Sequence, residues 1–284
     1  MLRYKKGITL QKIAYKFPEI YFIKKNLLYI KERGTAMSLI PFQDNHVPAR
    51  RPSEDARQYA YRIIKNCILD LLLIPGQKMN EVDLASTLNV SRTPVHDSFF
   101  KLSRENLVDV IPKRGAFVSK IDSQRIEEAV WLHTKLGTTS MIQSIYVKNV
   151  PESQLRVLHY QVHQLDDYMF QGDLTQAARI LTEYYRQLYI LAGDMELVWA
   201  SVQKVDMDLR RLLYLASSST SVTEGFLCEL TSLADALIKR DYDKACLIYS
   251  HHMSRMLLLM TPLKEHNPQY FTKPALTAKE RQPG

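Results

Sequence analysis

Apolar residues recur at helical spacing twice between Glu81 and Glu105, with a short break between the runs. Leu84, Ala85 and Leu88 give the first run one buried face, and Val95, Phe99 and Leu102 do the same for the second at i, i+4, i+7. Asn89-Val90 turns the chain between them. Ser91 is placed to cap the second helix, and Pro94 falls in its first turn, where a missing N–H costs nothing. The polar side of that helix leads with Arg92, Thr93 and His96. A short helix packed on another, with a polar N-terminal turn facing out, suits a DNA major groove.

Two short apolar runs follow, 107–111 and 116–118, around Pro112-Lys113-Arg114-Gly115. They predict a β-hairpin with a basic tip, a wing beside the helix-turn-helix. Upstream, 56–73 carries a helical pattern stopped by Pro75-Gly76, which supplies the third helix of a small core. Beyond the wing, Lys120 to Ser123 reads as a short linker and helix cap. Six helical segments are then expected, near 124–148, 153–170, 173–192, 195–216, 223–239 and 241–261, punctuated by Asn149-Val150-Pro151, Gly172-Asp173, Gly193-Asp194 and Arg240-Asp241.

The expected fold class is therefore mainly α: an N-terminal winged helix-turn-helix of three helices plus hairpin, then an all-α bundle. The expected divisions are a basic extension and lead-in at 1–52, the winged helix at 53–121, the helical domain at 122–264, and a disordered tail at 265–284 with three prolines. Lys31-Glu32-Arg33-Gly34 just before Met37 has the look of a translated ribosome-binding site, so Met37 is the expected native start. A basic arm adding phosphate contacts is the alternative.

Charge sharpens this division. The net of +8 splits as +7 over 1–50, +3 over 51–120 and −2 over 121–284. The excess cation lies on the side expected to meet phosphates. Three cysteines without metal or redox spacing fit small core residues in a reducing compartment, and a cytoplasmic location is expected. The apolar stretch Phe17 to Ile30 is too short to span a bilayer and is broken by Lys24-Lys25, so no membrane association is expected. Nine glycines form no phosphate-binding loop, and no Gly-x-Ser-x-Gly elbow occurs, so nothing points to nucleotide or serine-hydrolase chemistry.

The run PG(x)3NE(x)2LA(x)2LNVSRTPV followed by L(x)4LV(x)2IPKRGAFV resembles the winged helix-turn-helix of GntR-family transcriptional regulators, over roughly Ser53 to Ser119. The helical remainder resembles the FCD effector domain of the FadR subfamily. The resemblance implies DNA contacts from Ser91, Arg92, Thr93 and Pro94 at the helix start, and from Lys113, Arg114 and Gly115 at the wing. Arg92 is the candidate for a bidentate guanine contact. Where the family usually has a second arginine this chain has His96, whose imidazole offers a single donor when neutral.

Many FCD domains hold a divalent metal with one Asp and three His. The aligned positions here are Leu181, Tyr185, Leu230 and His252 (His251 if the register slips by one). One ligand of four cannot hold an ion, so no metal and no other cofactor is expected. The arginine that often pairs with a ligand carboxylate in the family aligns with His133. His133, Tyr185 and His252 are therefore candidates to line an effector cavity as hydrogen-bonding groups, or else packed polar residues. His159 and His163 stand at i, i+4 without a third ligand and read as surface residues.

These readings converge on a non-enzymatic, ligand-responsive bacterial regulator. Its expected partners are a palindromic DNA operator, a small-molecule effector such as an organic acid, and a second copy of itself. Two alternatives stay open: a constitutive DNA-binding protein whose helical domain only dimerises, and an all-α metal-dependent hydrolase.

Overall fold

The computed structural model describes residues 47–217 and 220–273, with the side chains of 220–223 excepted. The Met37 start, the basic arm and most of the 1–52 lead-in lie outside the described residues.

The first unit is a winged helix. Helix α1 (Ala56–Leu69) starts from a capping box in which Asp55 accepts from the Gln58 N–H and the Gln58 side chain accepts from the Asp55 N–H. The helical pattern runs on to 73, but the helix stops at Asp70. Leu71 takes a left-handed backbone (φ 52°), and the Leu73 N–H bonds back to Cys67 O, closing the helix end before Pro75 is reached. Helix α2 (Glu81–Thr87) is capped by Asn80, and α3 (Arg92–Arg104) follows after Asn89, also left-handed at φ 51°. Leu84, Ala85 and Leu88 are buried, as are Val95, Phe99 and Leu102, so both predicted apolar faces meet in one core with Ile64 and Ile68 of α1.

The wing pairs β2 (Val108–Ile111) with β3 (Gly115–Val118) in antiparallel register, Val108 opposite Val118 and Ile111 opposite Gly115. Lys78–Met79 forms a further strand, β1, on the other edge of β3, giving the order β1-β3-β2. Two residues carry no readable alternation, so the sequence pattern shows only the hairpin.

The second unit is all-helical. Helix α4 (Ser123–Leu136) runs through a π-helical turn (Gly137–Ile142) into α5 (Gln143–Val147). Then come α6 (Glu152–Gln171) and α7 (Leu174–Leu191), joined by the left-handed cap Gly172 at φ 74°. The segment expected as one helix over 195–216 is two, α8 (Glu196–Val205) and α9 (Met207–Ala216), broken at Asp206. Helices α10 (Thr220–Ile238) and α11 (Tyr242–His266) complete the bundle. Leu158, Leu188, Leu212, Leu230 and Met256 are buried in its core.

The linker between the units is pinned. Arg211 is fully buried; it donates to the carbonyls of Ser119 (2.6 Å) and Lys120 (3.4 Å) and pairs with the buried Asp208. Asp208 also accepts from the Asp122 N–H at 3.2 Å. The chain end joins in. Ile121 bridges Phe271 in parallel, with the Ile121 N–H on Tyr270 O and the Thr272 N–H on Ile121 O. This corrects the expected disorder over 265–284 for its first part. Tyr270 and Phe271 are buried, because two aromatic rings find apolar cover against the linker that polar composition alone does not disclose. Residues 274–284 lie outside the described residues.

Candidate functional sites: a DNA-facing turn and a two-domain cavity

The N-terminal turn of α3 is the first site. Ser91 occupies the N-cap in an extended conformation, but its side chain makes no capping bond, contrary to the expectation. Its hydroxyl and the free N–H groups of the first turn stay available to an anion, which the helix dipole favours. Arg92 and Thr93 are exposed. Pro94 is buried, which removes it from the expected contact set; it packs inward, and its carbonyl accepts from Ser98 Oγ at 2.6 Å. His96 is exposed, with Nδ1 2.8 Å from Glu81 Oε1 and its ring edge-on to Phe100 at 4.8 Å. Its Nδ1 is thus engaged within the protein, leaving Nε2 for a base or phosphate.

At the wing tip the Arg114 N–H bonds Ile111 O at 3.0 Å, closing a turn with Pro112 and Lys113 at its centre. Lys113 is left-handed at φ 62° and Gly115 has φ 104°, so the tip folds back tightly with both basic side chains exposed. The Arg114 guanidinium lies 5.9 Å from the centre of the Phe117 ring, which steadies it.

The second site is a cavity of about 180 Å³ in the helical unit, closed on one side by the winged helix. Lys65 and Leu69 of α1 contribute to it, and so do Met207, Arg210 and Leu213 of α9. Part of its lining is polar. His133 places Nε2 2.9 Å from both carboxylate oxygens of Asp206, and its Nδ1 lies 3.3 Å from the Tyr249 hydroxyl. A carboxylate only accepts, so Nε2 carries a proton; with a neutral imidazole, Tyr249 donates to Nδ1. Tyr249 reaches this spot because Gly137 lies beneath its ring, where any Cβ would overlap the ring carbons.

A second chain of the same kind stands behind. Tyr185 Oη is 2.6 Å from His252 Nε2, and His252 Nδ1 is 2.9 Å from Glu229 Oε2. Burial pushes the His252 imidazole below its ordinary value, favouring the neutral ring, so Tyr185 donates and His252 Nδ1–H donates to Glu229. Burial would raise the Glu229 carboxyl, but the bond from His252 and the nearby Arg255 guanidinium prevail and hold it below the usual carboxylate range. Burial also holds the Tyr185 and Tyr249 hydroxyls well above their ordinary values, so both stay protonated.

Of the three candidate effector residues, His133 and Tyr185 line the cavity. His252 does not; it is buried behind Tyr185 and positions that hydroxyl. Of the two histidines that could align with the family ligand, His251 is exposed and His252 is buried. Nothing in the periodicity pointed to Asp206, Glu229, Tyr249 or Trp199. An acidic residue breaking the apolar face of 195–216 was the one available sign of Asp206. His159 pairs with Asp235 at 2.9 Å, and His163 is exposed.

The donor set does not fit the divalent metal that the FCD resemblance implies. Leu181 lines the cavity with hydrocarbon, the Leu230 carbonyl accepts from Tyr184, and both nitrogens of His252 are engaged. Among the described residues no three His, Cys, Asp or Glu side chains gather as a metal would require.

A three-helix core with a β-wing, followed by a helical bundle enclosing a cavity, defines a winged-helix protein with an appended helical domain. Residues 56–118 match the family model described as "Bacterial regulatory proteins, gntR family", so this part of the chain is a GntR-family helix-turn-helix domain. The chain is 24% identical over 222 residues to the HTH-type transcriptional repressor RspR of Escherichia coli K12, spanning 78% of this chain and 96% of that protein. Its fold resembles that of E. coli McbR/YncC (TM-score 0.62, 17% identity, 74% of this chain and 99% of the other). It also resembles a transcriptional regulator GntR from Rhodococcus sp. RHA1 (TM-score 0.52, 17% identity, 75% and 96%). Among the described residues no helix is long and apolar enough to cross a membrane.

Proposed function

We propose that the chain is a ligand-responsive bacterial transcriptional regulator of the FadR subfamily, acting on DNA in the cytoplasm by binding rather than catalysis. Its helical unit serves as an FCD-type effector domain. A homodimer presents two α3 helices to the half-sites of a palindromic operator, because one short helix reads only a few base pairs. Ser91, Arg92, Thr93, His96, Lys113, Arg114 and Gly115 form the DNA contacts, with Arg92 reading a base and the wing neutralising phosphates.

The observation that carries the regulatory reading is the shared wall of the cavity. Helix α9 lines it, and the same helix holds the linker through Arg211 and packs Met207 against the winged-helix core. A molecule that prefers one placement of α9 therefore prefers one placement of the DNA-binding unit, and shifts the population accordingly. The effector is held by hydrogen bonds and apolar packing, with no metal.

Selection of bound fragments from the source genome tests this reading. It predicts an enriched inverted repeat, protected by a dimer and released or tightened by a metabolite linked to the neighbouring genes. Enrichment without sequence preference would contradict it.

A further inference from the structure

The two hydrogen-bond chains fix what the polar part of the cavity can offer. His133 gives its Nε2 proton to Asp206, Tyr249 gives its proton to His133, and Tyr185 gives its proton to His252. Two further hydroxyls of the lining are committed as well, Thr182 to the carbonyl of Ala178 at 2.8 Å and Ser217 to that of Tyr214 at 2.7 Å. These donors are committed; Gln203 and Arg210, whose buried Nε has no partner among the described residues, also line the cavity, and the Asp206 carboxylate, about a fifth exposed (19%), keeps lone pairs free.

Charge points the same way. Three ionised side chains line the cavity: Lys65, Arg210 and Asp206. Lys65 Nζ sits 2.8 Å from the Glu105 carboxylate and Arg210 Nη2 sits 3.2 Å from that of Asp70, so each cation has its counter-charge outside the cavity. Asp206 faces only an imidazole. The remaining wall is hydrocarbon, and a smaller apolar pocket of about 50 Å³ sharing Leu165, Met169, Leu181 and Leu213 extends it towards Phe226.

We propose that the cavity takes an amphipathic amine: a protonated amino head seated on Asp206, with an apolar body laid along Leu165, Leu181 and Leu213. This rests on reading the cavity as an effector site, and it departs from the organic acid expected from sequence. A carboxylate head would meet Asp206 as a like charge. An ammonium brings three donors and a full positive charge.

Three probes of matched length separate the possibilities: n-hexylamine, 1-hexanol and hexanoate, at pH 7.5. Trp199 lines the cavity, and replacing the other tryptophan, the exposed Trp131→Phe, leaves a single fluorescent reporter. The expected result is hexylammonium binding at least tenfold tighter than hexanoate, with hexanol between. Asp206→Asn should bring the amine to within about threefold of the alcohol. Should that variant fail to fold, the ranking in the parent protein decides alone. Equal or tighter binding of hexanoate, or no binding of any probe to folded protein, overturns the proposal. Probe binding that leaves DNA affinity unchanged would instead remove the effector reading while the ligand class stands.

Discussion

Arg210 of α9 reaches across the boundary between the two units to Asp70, the residue that ends α1, with Nη2 3.2 Å from Oδ1. Burial pushes the Asp70 carboxyl up, and the Arg210 guanidinium opposes that shift. One turn of α9 thus touches the cavity, the DNA-binding helices and the linker together. The neighbouring Arg211 and Asp208 are both buried at 1% exposure or less, so they tie the linker to α9 where water cannot compete.

That latch yields the first prediction. Arg211→Met leaves the buried Asp208 with only the more distant, partly exposed Arg125 at 3.5 Å as its cation, and frees two linker carbonyls. Breaking a buried pair in this way typically costs ~3–5 kcal/mol. Urea unfolding should show a loss of that order, and adding Asp208→Leu should recover part of it. A loss below about 1 kcal/mol, the range of exposed pairs, would mean the latch carries little.

The second prediction concerns pH. His252 is held below its ordinary value in the folded state, so between that value and the folded one the unfolded chain binds the extra proton. Stability is therefore full above the ordinary imidazole value of about 6.5 and falls as pH drops through it. Glu229, also depressed, loses its contribution further down, as pH falls below the ordinary carboxylate range. Melting temperature should decline from pH 7.5 to pH 5, and His252→Gln should flatten the upper part of that decline. A profile unchanged by His252→Gln would assign the slope to other groups.

The helix-turn-helix was legible because it is built from local signals. Leu84, Leu88, Val95 and Phe99 keep a 3.6-residue period, and Asn89, Pro112 and Gly115 mark turns by their own backbone preferences. The boundaries of α6 and α7 were legible for the same reason, from Gly172 and Asp173. What the sequence hid is tertiary. Pro94 has the same local signature whether it faces DNA or core, and the structure turns it inward. Asp206 becomes meaningful only when His133, 73 positions earlier, arrives beside it. Tyr270 and Phe271 look like part of a polar tail until the linker supplies a surface. Alignment to the family metal motif found Tyr185 and His252, but it could not show that Glu229 holds the second and the second holds the first.

The wing gives the third prediction. Lys113 and Arg114 are exposed at a turn whose backbone is fixed by Gly115, and the proposed reading makes them phosphate contacts. Lys113→Ala with Arg114→Ala should make the fall of log K with log salt shallower by roughly one to two units. An unchanged slope in fluorescence anisotropy titrations would take the wing out of the interface.

Metal dependence gives the fourth. With Leu181 and Leu230 at two family ligand positions, exhaustive treatment with EDTA should leave both melting temperature and operator affinity unchanged. A stoichiometric ion surviving dialysis and lost in His252→Ala would show that the cavity assembles a coordination sphere from other groups.

If the N-terminal turn of α3 reads sequence, Arg92 is the side chain that reads it. Its side chain is exposed at the helix start. A bidentate base contact contributes about 1–3 kcal/mol of discrimination against the wrong base. The measurement is the affinity of the parent protein and of Arg92→Ala for the selected operator and for a duplex of scrambled sequence, at one salt concentration. The expected result is a loss of ~1–3 kcal/mol on the operator, little change on the scrambled duplex, and relaxed preference at one base pair per half-site. Equal losses on both duplexes would reduce Arg92 to a phosphate contact and contradict the reading of this turn as the sequence-recognising element.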